Sequence, residues 1–262
     1  MRTHKHLHTT RAFVATLAIL TAVVALATAR SASAGTISIG NIPATGSDAG
    51  GPISNANTYT HALDFGPDGS GTMLINGVTF TRTNSFAGTD TTTGNGYAVA
   101  SVNIGNGMQN TASGGTTFAD GNTSALLFDF FHPDWTAVGQ SYTLTLSGLT
   151  PGTSYSQKIY YRPFPSDPRT SNLEFDGDGT PVSQNVSQGA DAAAHYVTYD
   201  FVANGTSVLT TFSVVTGGWH LYGVTNEVVE NSAVPEPSTL ALAMLGLVGL
   251  GFVALRKKFR RA

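Results

Sequence analysis

The chain has 262 residues, a formal net charge of −3 and no cysteine, which excludes a disulfide-stapled scaffold, a thiol nucleophile and a cysteine-based zinc site. The charge is unevenly placed. Between residues 35 and 233 only Arg82, Lys158, Arg162 and Arg169 stand against fifteen Asp and Glu, a net of −11 that disfavours binding to nucleic acid or anionic lipid.

The first segment reads as a signal peptide over residues 1–34. Arg2, Lys5 and Arg11, interleaved with His4, His6 and His8, precede an apolar run from Ala12 to Ala29, and Ala32-Ser33-Ala34 supplies the small residues that signal peptidase accepts. Cleavage is expected after Ala34. An uncleaved anchor is the alternative, since the run is long and Arg30 follows it; either way the body is translocated.

Residues 35–230 carry the pattern of an all-β domain, with no sustained helical period. Tyr59–Phe65 and Thr72–Phe80 are strand-rich runs, with turns expected at Gly66-Pro67-Asp68-Gly69 and at Asn76-Gly77, each closing a hairpin. Tyr97–Ile104 alternates, and the Gly/Asn/Thr-rich stretch 105–124 is expected to be a loop or weak hairpin. Ala125-Leu126-Leu127-Phe128-Asp129-Phe130-Phe131 is too apolar to leave one side in water and is expected as a central strand. Further on, Tyr142, Leu144 and Leu146 alternate with threonines. Gly148-Leu149-Thr150-Pro151-Gly152 then makes a corner in which Leu149 plugs the core and the Tyr155 hydroxyl bonds back to the backbone. At least four more strands are expected, around Leu173–Phe175, Tyr196–Val202, Val208–Val215 and Trp219–Val229.

The chain closes with a linker, 231–238, a charge-free segment, 239–255, and a basic end, 256–262. Seventeen residues of helix span roughly 25 Å, near the lower limit for crossing a bilayer core. Arg256, Lys257, Lys258, Arg260 and Arg261 would be costly to translocate, so they are expected on the cytoplasmic side with the acidic body outside. Pro235 and Pro237 stop the helix and leave an extended stub at the outer surface.

Chemistry in the body is sparse. No H-E-x-x-H, G-x-S-x-G, P-loop or G-x-G-x-x-G occurs. His132, Asp134 and Trp135 lie within four residues at a strand end, and Trp219-His220 is similar. Aromatic faces flanked by hydrogen-bonding groups suit sugar, so His132, Asp134, Trp135 and Trp219 are the candidate carbohydrate contacts; the competing reading puts both tryptophans in the core. Glu174, Asp176 and Asp178 alternate and could offer oxygens to calcium, though Asp-Gly repeats are also ordinary turn chemistry. No carboxylate pair stands out as a glycosidase pair. Thr89-Asp90-Thr91-Thr92-Thr93 reads as a turn cluster rather than the stacked threonine ranks of an ice-binding face.

Two resemblances follow from these residues. Val234-Pro235-Glu236-Pro237-Ser238, the apolar segment and the terminal Arg/Lys cluster, in that order, resemble the PEP-CTERM sorting tail. The resemblance implies recognition by an exosortase-type membrane protease, cleavage near Pro237, and an exopolysaccharide-producing Gram-negative cell. Within the body, Tyr59-x-x-Ala62-Leu63-Asp64-Phe65, Ile75-Asn76-Gly77-Val78-Thr79-Phe80, the corner at Leu149, the run from Tyr196 to Gly205 and the closing His220-Leu221-Tyr222-Gly223-Val224 resemble jelly-roll domains of the galactose-binding-like and carbohydrate-binding-module type. Together they imply a non-catalytic surface or matrix protein with a jelly-roll-like β-sandwich ectodomain. It would be structural or adhesive, and polysaccharide is a possible partner.

Overall fold

A computed structural model describes residues 34–42, 51–66, 71–83, 91–94, 96–102, 108–112, 121–133, 138–163, 169–189 and 193–230. Residues 1–33 of the expected signal peptide (1–34), the linker, the apolar segment and the basic end lie outside them. Residues Ser33–Glu230 form one compact unit.

Fifteen strands are described: β1 (Thr36–Ile42), β2 (Thr58–Phe65), β3 (Gly71–Ile75), β4 (Val78–Thr83), β5 (Thr91–Gly94), β6 (Tyr97–Val102), β7 (Met108–Ala112), β8 (Asp129–Pro133), β9 (Ser141–Ser147), β10 (Ser154–Tyr161), β11 (Arg169–Asp176), β12 (Val182–Gln188), β13 (Ala194–Val202), β14 (Ser207–Thr216) and β15 (Gly223–Val228). One six-residue helix, α1 (Gly121–Leu126), precedes β8. The strands build a seven-stranded sheet in the order β1-β13-β10-β15-β2-β4-β3, a six-stranded sheet β12-β11-β14-β9-β6-β5, and a ribbon β7-β8. From β9 onward the chain passes repeatedly between the two large sheets, in the manner of a jelly roll. The body is an all-β sandwich.

Alternation builds its core. In β9 the inward Tyr142, Leu144 and Leu146 are buried while the intervening threonines are half-buried, as a period of two requires. Rings from the two sheets meet between them. Phe175 of the six-stranded sheet stacks on Tyr199 of the seven-stranded sheet at 4.9 Å, Tyr199 on Phe201 at 4.8 Å, and Phe201 on Tyr155 at 5.7 Å. At the other end Tyr142 stacks on Phe212 at 4.5 Å, and Trp219 packs on Tyr161 at 4.9 Å. Each such pair adds about 0.5–1.5 kcal/mol beyond the area it buries.

The expected corner is present. Leu149 is buried, and the Thr150 N–H donates to the Tyr155 hydroxyl at 2.9 Å. The Asn76-Gly77 hairpin also forms, joining β3 to β4 with φ of 45° and 80° at the two turn residues, the left-handed pair that a tight hairpin needs.

Three local expectations are corrected. The segment at Gly66–Gly69 closes no hairpin, because β2 runs parallel to β4 and antiparallel to β15. The apolar run at Ala125 is not one strand: it ends α1, turns at Leu127 and Phe128, and enters β8. Leu126, Leu127, Phe130 and Phe131 are buried as expected and Phe128 is half-buried, since continuous apolarity signals burial without fixing helix or strand. Thr91–Gly94, read as a turn, is the edge strand β5 paired with β6.

The β7-β8 ribbon is tied to the sandwich through Phe131, whose backbone N–H and carbonyl bond the carbonyl and N–H of Leu221 at 2.9 and 2.8 Å. Beside this bridge Phe130 stacks on His220 at 3.9 Å, and the Gln188 amide brackets the His220 backbone, donating to its carbonyl and accepting from its N–H, both at 2.9 Å. Burial, with the nearby Arg169, His132 and Arg162, holds the His220 imidazole well below its ordinary pKa. Burial also lowers His61, opposed by the Gly96 carbonyl to which its Nε2–H donates at 2.8 Å.

Two outcomes follow for stability. Because the folded pKa values are depressed, the unfolded chain binds protons that the folded body refuses. The stabilisation is therefore complete above about pH 6.5 and lost as pH falls toward the folded values. Thermal melts from pH 8 to 5 will show Tm declining below about 6.5, and His61→Gln, which keeps a donor for Gly96, will flatten part of that slope. Tyr155→Phe removes the corner bond and will lower Tm by about 2–4 °C, a loss of about 1 kcal/mol for a body of this size, as measured by calorimetry.

Candidate functional site

The residues marked out by the sequence separate in space. Trp219 is 0% exposed, packed between Tyr161 and Phe212, and accepts a long 3.5 Å bond from the Tyr142 hydroxyl at its carbonyl. Its indole therefore cannot present a face to a sugar, and its place among the carbohydrate contacts is corrected: it is a core residue. His132 is 3% exposed, its ring 5.6 Å from that of His220 and 5.5 Å from that of Phe130. It too lies inside the aromatic knot that joins the ribbon to the sandwich. Asp134 and Trp135 lie outside the described residues.

This knot holds more polar chemistry than the sequence pattern revealed. The Arg162 Nε–H donates to the Tyr222 hydroxyl at 3.0 Å, with its guanidinium carbon 5.5 Å from the ring centroid, and Arg169 donates to the Gly218 carbonyl at 3.0 Å. Burial pushes the Tyr222 hydroxyl up to about 12, against the pull of Arg162. Both arginines are buried, so their cations orient backbone and phenol rather than a surface ligand. No motif signals this arrangement; the only hint is that Arg162 and Arg169 are two of the body's four cations.

The acidic stretch at the end of β11 also reads differently in three dimensions. Glu174 is exposed, Asp176 half-buried and Asp178 only 6% exposed, because the chain leaves the strand at Gly177 and the alternation stops. Asp176 Oδ1 accepts the Gly179 N–H at 3.0 Å; Asp178 accepts the Thr180 N–H on Oδ1 at 2.8 Å and the Gly35 N–H on Oδ2 at 2.5 Å. These carboxylates are occupied by backbone donors, as Asp side chains in turns commonly are. Among the described residues no group of three or more His, Asp or Glu side chains is arranged to hold a metal ion.

A cleft of about 290 Å³ lies where β15 ends, lined by Asn57, Thr58, Glu227, Val228 and Glu230 among others. Its Glu227 carboxylate is already engaged, by the Lys158 ammonium and by the Asn57 side-chain amide at 2.6 Å. The same carboxylate, after burial, helps raise the Tyr59 phenol. The cleft is a braced polar floor at the point where the body hands over to the C-terminal segment. Among the described residues no helix is long and apolar enough to cross a membrane, and residues 239–255 are outside that set.

Comparison with curated proteins finds no match. Several solved structures are similar to part of this chain. A calcium-binding mutant of Bacteroides uniformis beta-glucuronidase 2 is 11% identical, with a TM-score of 0.44 over 68% of this chain and 19% of that one. TmCBM61 in complex with beta-1,4-galactotriose is 12% identical, TM-score 0.32, over 50% and 83%. The extracellular domain of ANXUR1 from Arabidopsis thaliana is 10% identical, TM-score 0.39, over 65% and 48%. This chain thus matches about a fifth of the glucuronidase, and likenesses of this depth concern architecture alone. The C-terminal segment is different in kind: residues 233–258 match the PEP-CTERM protein-sorting motif, and the chain is a β-sandwich protein carrying that sorting signal.

Proposed function

We propose that the chain is an exported substrate of an exosortase-type membrane protease, held at the membrane by residues 239–255 until cleavage near Pro237. The body then serves as a non-catalytic structural or adhesive component of the cell surface or exopolysaccharide matrix. The observation that carries this reading is the sorting motif at residues 233–258, with the basic cluster Arg256 to Arg261 beyond the apolar segment. The order of parts supplies a mechanism. Cations that resist translocation stop the chain, the apolar helix satisfies its own backbone in lipid, and the Pro235-Glu236-Pro237 stub stands where a membrane protease can reach it.

The described body is in keeping with a passive role. Its buried His, Arg and Asp groups hold backbone or rings, and its exposed large apolar side chains, such as Leu74 and Val138, lie on separate segments of the chain. Polysaccharide as a partner now rests on Asp134 and Trp135, because Trp219 and His132 are core residues.

Deleting Leu240 to Ala262 and fractionating the cells tests the anchor: the truncated protein is expected in the soluble exported fraction, and sedimentation with membranes would overturn the assignment. Mass spectrometry of the mature full-length product should find a C-terminus near Pro237. Trp135→Ala is expected to abolish retention on the producer's own exopolysaccharide in a pull-down, and undiminished retention would remove sugar binding through that residue.

A further inference from the structure

We propose that the Asp176–Thr180 turn is a receptor for a newly made N-terminus: hydrolysis of the Ala34–Gly35 peptide bond leaves an α-ammonium on Gly35 that pairs with the buried Asp178 carboxylate and secures strand β1. The proposal rests on the export reading above, which supplies the cleavage.

Three observations converge on this position. The Gly35 nitrogen donates to Asp178 Oδ2 at 2.5 Å, while Oδ1 is held by the Thr180 N–H, so the carboxylate is aimed at this one atom of the chain. A glycine at position 35 leaves room for the Tyr199 ring, since a Cβ there would lie 2.3 Å from Tyr199 Cε2 and 2.8 Å from its hydroxyl oxygen and would force the ring to shift. The residue before it, Ala34, is exposed and is the last member of the Ala32-Ser33-Ala34 pattern. The bond to be cut therefore sits at the surface of the folded body, and the nitrogen it releases is already seated.

The chemistry of the cut changes what the seat holds. Water adds across the Ala34–Gly35 bond: Ala34 leaves as a carboxylate, and the Gly35 nitrogen takes protons to become a primary ammonium. An amide N–H on a buried carboxylate becomes a charge-assisted bond, which is shorter and roughly twice as strong. Among the described residues no ion pair reaches Asp178. The groups that face the seat are Asp176 on the same turn and, on β13, the Tyr199 hydroxyl, raised to about 12 by burial and by both aspartates. The two described ion pairs, Arg82 with Asp64 and Lys158 with Glu227, lie elsewhere. The new charge thus answers an acidic corner. It also anchors an edge strand, because β1 is hydrogen-bonded on one side only, to β13.

An α-amine facing carboxylates titrates above its ordinary range of about 7.7–8.0, so the added stability is complete below that range and is lost as pH rises through the raised folded value. The test uses the full-length chain exported from a Gram-negative host. N-terminal sequencing should read Gly-Thr-Ile-Ser. Carbamylation of the α-amine by cyanate at pH 7 should be at least about tenfold slower in the native protein than in urea, a factor equivalent to one pKa unit. Tm should fall between pH 8 and 10 in the wild type and stay level across that interval in Asp178→Asn, which keeps an acceptor for Thr180. A first residue other than Gly35 overturns the cleavage reading. A Gly35 start with an unprotected amine, or with the same pH profile in Asp178→Asn, overturns the ion pair alone. The urea comparison needs only the wild-type protein and so decides the matter even where the variant fails to fold.

Discussion

Lacking a cysteine, the body must keep its two large sheets together with nothing but the side chains that cross between them, and the crossing is made by rings. Phe175, Tyr199, Phe201 and Tyr155 form one continuous stack, and Tyr142, Phe212, Trp219 and Tyr161 a second chain of ring contacts, stacked at Tyr142–Phe212 and tilted at Trp219. Other features are fitted to these stacks. Gly177 lies so close to Phe201 that a Cβ would approach a ring carbon to 2.4 Å, so the chain can cross the ring face only without a side chain. The Tyr199 hydroxyl in turn accepts the Gly177 N–H at 3.3 Å, which fixes the turn carrying Asp178. Packing, turn geometry and the position of a buried carboxylate are one connected arrangement.

The same constraint explains why residues that looked chemical are not at the surface. A sandwich closed by aromatic contact draws in its largest rings, and Trp219 and His132 both follow, joined there by Arg162 and Tyr222. Loss of the exposed-aromatic argument leaves the body's role to be inferred from where the chain is sent rather than from a reactive centre. The division of labour is plain in the residue order: an acidic, threonine-rich domain carries the bulk, and a short segment with its own charge asymmetry carries the address.

How much of this could be read from residues alone depended on range. Asn76-Gly77 and the Leu149–Tyr155 corner were legible because each is decided by φ preferences and contacts within a few positions. The strands at Tyr196 and Val208 were legible because alternation survives wherever one face is buried. The parallel pairing of β2 with β4 was not, since it depends on β15 occupying the other flank of β2. β12 was missed: Ser183, Gln184 and Asn185 expose their side chains at a sheet edge and give no apolar pattern. The link between Asp178 and Gly35 was equally hidden, as an Asp-Gly turn looks the same whether or not a distant nitrogen arrives on its carboxylate.

The wiring of the seven-stranded sheet carries one further consequence. Thr36, near the start of the body, pairs with Asp200, near its end, and Tyr59 of β2 pairs with Glu227 of β15. Closing such large loops costs entropy before any contact repays it, so topologies of this kind fold slowly. Nascent polypeptide with these pairings cannot complete its sheet while its last third is still missing, and it stays slack and linear for longer. In a chain whose C-terminal motif marks it for sorting, slow closure of the sheet prolongs the interval between synthesis and the finished body.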